Sequence, residues 1–209
     1  LDKSAIILAG GPSSRFGQDK GLPLLANKPL IKHVLDAINM VVEEKIVVFS
    51  SKVQLENYMK VLDINVRLVV DDGQIRAPLF GTLTGLRVAS GEYALLLPCD
   101  TPFISSEIAS LLFELCINRN AAIPRWPNGY IEPLQAVYRV KPALEAAERA
   151  FSAGGLSMQS MISQLRGIRY VSTLVLQQLD SELKTFFNVN TPLDLKRAEF
   201  MLKRGKSAL

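Results

Sequence analysis

The sequence has little of what zinc centres, disulfide frameworks and histidine-based sites are made from. It holds two cysteines and one histidine in 209 residues. Cys99 and Cys116 form no C-x-x-C and no Cys/His cluster. That argues against structural zinc and a disulfide scaffold, and it is compatible with a reducing cytoplasm, the expected location. No apolar run is long enough to span a bilayer, so no membrane contact is expected. The chain opens on a strand-like segment, and no signal peptide is expected. The net charge of +4 comes without a long basic run, a mild bias toward anionic small molecules and not a nucleic-acid footprint. Neither G-x-x-x-x-G-K-[ST] nor G-x-G-x-x-G occurs, so the two best-known phosphate loops are missing. There is no internal repeat, low-complexity tract or linker.

What is present is an ordinary globular composition, 48% hydrophobic and 21% charged, with enough length for one sizeable domain. The organising stretch is Ile6 to Lys20, IILAGGPSSRFGQDK. Its apolar start, short and bounded by glycines, predicts a buried strand. The polar loop that follows leaves the strand's carboxyl end, where open α/β sheets bind ligands. Paired Gly10 and Gly11 let the backbone approach a ligand and turn its N–H groups inward. Arg15 and Lys20 add positive charge suited to a triphosphate or a pyrophosphate leaving group. The plainer reading is a glycine turn with solvated charges; both basic residues in so short a loop favour a nucleotide site.

Apolar positions Leu30, Ile31, Val34, Leu35, Ile38, Val41 and Val42 predict a helix opened by Lys28-Pro29. Strands are expected at 45–49, 66–70 and 93–97, with helices at 53–62, at 81–90 and after a cap at Ser105 or Ser106. This alternation predicts a Rossmann-like, mostly parallel α/β sheet flanked by helices. The second half is less regular: strands at 121–124, 134–139 and 168–172, helices at 142–150, 157–165 and 192–202. One domain over 1–209 fits best.

Asp100 is the first acid to single out. It follows a very apolar strand, and a carboxylate there, facing the glycine loop, is placed to hold Mg²⁺ against phosphates, since magnesium takes one or two protein carboxylates and completes its shell with phosphate and water. An Asx turn with Thr101 is the alternative. Asp71 and Asp72 read as a turn, or with one of them near a ribose or base. Asn188 and Asn190 flank Val189, so their amides point the same way, toward a ligand or toward backbone groups at the next helix start. His33 receives no acid–base role. Met158, Met161 and Ile162 are expected in the core. Trp126 either packs or stacks on a planar ring.

Taken together, LAGGPSSRFGQDKGLPLLANKPLIKHV, Pro98-Cys99-Asp100-Thr101-Pro102-Phe103, Glu132-Pro133-Leu134 before Tyr138, and Asn188-Val189-Asn190-Thr191-Pro192-Leu193-Asp194-Leu195 resemble the molybdenum cofactor guanylyltransferases. That family sits among the glycosyltransferase-A-like nucleotidyltransferases. The resemblance implies transfer of GMP from GTP to molybdenum-bearing molybdopterin, with Mg²⁺, giving a guanine dinucleotide and pyrophosphate. It implies a nucleotide-binding half, 1–105, and an acceptor-binding half, 106–209. Leu8, Ala9, Gly10 and Gly11 would line the nucleotide, Arg15, Gly17 and Lys20 its phosphates. Asp72 would contact the nucleotide, Asp100 the magnesium, and Asn188 and Asn190 the cofactor half. It leaves room for molybdoenzymes or biosynthetic proteins as partners. Phe49-Ser50-Ser51 stands where some members carry a guanine-contacting asparagine, so GTP and CTP both stay open, as does another phosphorylated acceptor. A nucleotide-binding subunit without turnover would not need Asp100 and Lys20 together.

Overall fold

The computed structural model describes residues 2–10, 17, 19–63, 65–71, 73 and 77–206, with side chains to 204. Four parallel strands form one side of its sheet: β1 (Lys3–Leu8), β4 (Glu44–Phe49), β5 (Arg67–Val70) and β6 (Tyr93–Pro98). β1 lies between β4 and β6, and the sheet continues through β8 (Ala136–Arg139), β7 (Ala121–Arg125) and β9 (Ile168–Ser172). A seven-stranded order β5-β4-β1-β6-β8-β7-β9 results. Chain direction across the sheet reverses between β1 and β6, which opens a crevice beyond their carboxyl ends.

Both faces are covered, which is why β6 reads as a continuous apolar run instead of an alternating one. Side chains still alternate by face. Ile7, Leu95 and Leu97 pack beneath α1 (Leu30–Ala37) and α4 (Ser106–Cys116). Ile6, Ala94 and Leu96 pack beneath α3 (Pro78–Val88), α5 (Val140–Ser152) and α6 (Met158–Gln164). Met158, Met161 and Ile162 are core, as expected. α4 is capped by Ser105, whose hydroxyl accepts from the Ile108 N–H at 3.2 Å. The closing helix, α8, runs Pro192–Lys206.

The mostly parallel sheet includes one antiparallel strand, and the bounds of two helices need correction. β8 runs antiparallel to both β6 and β7. Only residues 126–135 join β7 to β8, too few for the crossover that a parallel pair requires. The first helix stops at Ala37, and Val41 and Val42 are buried without being helical; their spacing reported burial, not helix. Before it lies a two-stranded hairpin, β2 (Leu24–Leu25) with β3 (Lys28–Pro29). Its turn residues Ala26 and Asn27 have φ of 50° and 61°, the conformation of a tight hairpin turn, which asparagine tolerates. α3 starts at Pro78, three residues earlier than expected, with the proline in the first turn where no N–H is needed. Short α2 (Lys52–Met59) and α7 (Thr173–Leu176) complete the layers.

Candidate active site

A cleft of about 360 Å³ opens at the carboxyl ends of the four parallel strands. β1 contributes Leu8 and, just beyond it, Gly10; β4 contributes Val48, Phe49 and then Ser50; β5 leads into Asp71; β6 leads into Cys99 and Asp100. Ala77, Pro78 and Gly81 at the start of α3 form one wall, with Leu134 nearby. Gly81 keeps this wall close to β1: a Cβ there would sit 3.2 Å from Leu8 Cδ2. Lys20, Asn188 and Asn190 complete the lining. Among the described lining residues Lys20 is the one cation.

Asp100 is 4% exposed. Burial pushes its carboxyl above the usual carboxylate range, and Lys20 opposes that shift. The Lys20 Nζ lies 3.8 Å from Asp100 Oδ2 and 3.4 Å from Asn190 Oδ1, to which it donates. Asp100 Oδ1 is buried and has no hydrogen-bond partner among the described residues. A buried carboxylate oxygen left without a donor is costly. An Asx turn would have used it, and none does. The unpartnered oxygen belongs to a carboxyl that lines the cleft beside Lys20, a donor set that fits one divalent cation. Among the described residues no three His, Cys, Asp or Glu side chains cluster to hold a metal. A cation on Asp100 would therefore draw most of its shell from phosphate and water, as magnesium does.

The other expected residues divide. Asn188 and Asn190 do share the cleft, though not on a strand. The Val189 N–H donates to the Asp100 carbonyl at 2.9 Å, and Val189 is buried, so both amides are carried to the site. Ala9 is fully buried in the core, and its N–H is spent on the Val48 carbonyl. Gly17 is exposed at φ 64° and does not line the cleft. Gly11, Arg15 and Asp72 lie outside the described residues. Asp71 does line the cleft, with Oδ1 accepting from the Gly73 N–H at 3.2 Å and the Thr84 hydroxyl at 3.3 Å. Trp126 packs instead of standing free: its Nε1 donates to Glu132 at 2.7 Å and its ring meets Phe186 edge-on at 5.6 Å. His33 Nε2 is 2.9 Å from the Leu25 carbonyl, a contact to the hairpin. Ser50, Pro78, Gly81 and Leu134 were missed as site residues. For Ser50 the signal was available, because it follows a parallel strand.

With this geometry in view, the similarity to known proteins becomes decisive. Residues 5–168 match the model of the MobA-like NTP transferase domain. The chain belongs to the MobA-like NTP transferase family. Relatives agree. A probable molybdenum cofactor guanylyltransferase of Methanosarcina mazei is 35% identical over 199 residues, 93% of this chain and 88% of that one. The molybdenum cofactor guanylyltransferase of Desulfosudis oleivorans is 32% identical over 205 residues, 97% of each. The crystal structure of molybdopterin-guanine dinucleotide biosynthesis protein A from Archaeoglobus fulgidus superposes with a TM-score of 0.81 at 28% identity, covering 96% of this chain and 99% of that one. This MobA-like NTP transferase is thus a nucleotidyltransferase, of the family that its separated motifs resemble. Its cleft lies where an α/β sheet of this topology binds nucleotides.

Proposed function

We propose that this protein transfers GMP from GTP to molybdenum-bearing molybdopterin, forming a guanine dinucleotide cofactor and pyrophosphate. One observation carries the chemistry: Lys20 and Asp100 form an ion pair in the cleft lining, with the second Asp100 oxygen free of any described donor. The names of the relatives supply the acceptor and the base.

In this reading a terminal phosphate oxygen of molybdopterin attacks the α-phosphorus of GTP in line. A new phosphoanhydride bond forms as the bond to the β-phosphate breaks. The attacking oxygen is already anionic, so no side-chain base is required, and catalysis comes from positioning and charge neutralisation. Leu8, Gly10 and Gly11 line the nucleotide, and the two glycines admit it close to the backbone. Arg15 and Lys20 face the departing pyrophosphate. Asp72 contacts the nucleoside. Asn188 and Asn190 face the acceptor. Asp100 would hold Mg²⁺ through its free oxygen; when bound, the ion neutralises charge at the α-phosphate.

Calorimetric titration with GTP, CTP, ATP and UTP, each with Mg²⁺, followed by a pyrophosphate-release assay with molybdopterin, tests this. Selective GTP binding and release that depends on the acceptor are expected. Selective CTP binding would overturn the product. Binding without pyrophosphate release from any acceptor would overturn the enzyme assignment in favour of a nucleotide-binding subunit.

A further inference from the structure

The loop that delivers Lys20 is gripped from behind by one short helix. α2 projects Gln54, Asn57 and Tyr58 from one face, at the three- and four-residue spacing that brings side chains together. Gln54 Nε2 donates to Asp19 Oδ1 at 2.8 Å, and Asn57 Nδ2 to Asp19 Oδ2 at 3.2 Å. On the other side of Lys20, the Gly21 N–H donates to the Tyr58 hydroxyl at 2.9 Å, while the Gly21 carbonyl accepts from Ile31 at 3.0 Å. A Cβ on Gly21 would lie 2.8 Å from that hydroxyl, so the approach requires glycine. Burial raises the Tyr58 hydroxyl and keeps it neutral. Both chain neighbours of Lys20 are therefore fixed, and its long stem is aimed at Asp100 and Asn190.

Gln54 does more than hold the loop. It is 8% exposed, and its Oε1 accepts from both the N–H and the hydroxyl of Ser50, at 3.0 and 2.7 Å. One buried amide thus joins the loop after β1 to the residue after β4, and both strand ends line the cleft. The arrangement also disposes of a charge. Asp19 is one residue from a lysine that must face phosphates, and a carboxylate left in the cleft would repel them. Neutral amides satisfy it against α2, so Asp19 does not draw Lys20 away from Asp100 and the phosphates.

We propose that α2 is a positioning clamp for Lys20, with Gln54 the residue that couples the lysine loop to the end of β4. This rests on the reading of Lys20 as the cation on the pyrophosphate side. A merely structural Gln54 would act independently of Lys20, whereas a clamp acts through it, and a double-mutant cycle tells the two apart.

The full chain and its variants Lys20→Met, Gln54→Leu and the double variant are titrated calorimetrically with Mg²⁺ and GTP. Lys20→Met is expected to weaken binding on the order of tenfold, as losing a charge-assisted contact does. Gln54→Leu is expected to weaken it about fivefold alone and less than about twofold when Lys20 is already methionine. In pyrophosphate release, Gln54→Leu is expected to lower kcat by about fivefold and leave the KM for molybdopterin within about twofold, because Lys20 faces the leaving group and not the acceptor. Additive losses, or unchanged affinity in Gln54→Leu, overturn the clamp while the reading of Lys20 stands. Wild-type affinity in Lys20→Met overturns that reading and the clamp with it. If Gln54→Leu does not fold, Asn57→Ala, which removes one of the two amides from Asp19 at a half-buried position, replaces it under the same criteria.

Discussion

Replacing Asp100 by asparagine should move activity and stability in opposite directions. The carboxyl is 4% exposed, and burial raises it above the usual range despite Lys20 at 3.8 Å. A group raised in the folded state contributes stability fully present below its unfolded value, and that contribution is lost as pH rises through the raised folded value. Once ionised, Asp100 is therefore a net burden on the unliganded protein. Its Oδ1 lacks any described donor, and an amide in its place is unpartnered too; what the amide recovers is the desolvation of a buried charge. Recovering about 1 kcal/mol of it should raise the melting midpoint of Asp100→Asn by roughly 2–4 °C for a chain of this length. The gap should close as pH falls into the acidic range, where the wild-type carboxyl is protonated. Turnover should fall on the order of a hundredfold, the loss of one electrostatic contact to the reacting phosphates. Mg²⁺ with GTP should stabilise the wild type and leave the variant almost unmoved, because only binding to the native state raises the midpoint. Thermal unfolding followed by circular dichroism across pH, paired with pyrophosphate release, reads all of these. Near-normal turnover in saturating Mg²⁺ would refute the metal role. A lower midpoint at neutral pH would refute the account of a strained, desolvated carboxylate.

Two further outcomes follow from the packing around the site. Gly85→Ala drives a Cβ into Ile6 Cγ2, pushing α3 off β1; overpacking of about 1–3 kcal/mol, less the roughly 1 kcal/mol helix preference for alanine, leaves a net cost of up to about 2 kcal/mol and should lower the midpoint by up to about 8 °C. In an Ile6→Ala background the same change should cost nothing, and unfolding of the four variants checks the reversal. Ser105→Ala removes the cap on the Ile108 N–H and should cost about 1 kcal/mol, read as a lower urea midpoint with unchanged GTP affinity.

The sequence alone determined the features that depend on near neighbours along the chain. The alternation of apolar runs with amphipathic stretches placed β1, β4, β5 and β6 and most of the helices around them. Because parallel strands put their carboxyl ends on one edge, it also placed Lys20 and Asp100 at a shared cleft before any coordinate was known. Ser105 as a cap and α8 after Pro192 were legible for the same local reason. Tertiary structure decided what depends on partners far along the chain. The reversal of β8 follows from the short link behind it and its pairing with β6, which no window of residues contains. Val41 and Val42 looked helical because burial, not backbone conformation, sets apolar spacing. Ala9 was read as part of the nucleotide lining, yet it is packed into the core under the glycine that follows it. The grip of Gln54 reaches 35 residues back to Asp19 and four back to Ser50. A glutamine on a short, weakly amphipathic helix gives no sign of that, because only the packing of α2 against the loop after β1 brings the three together.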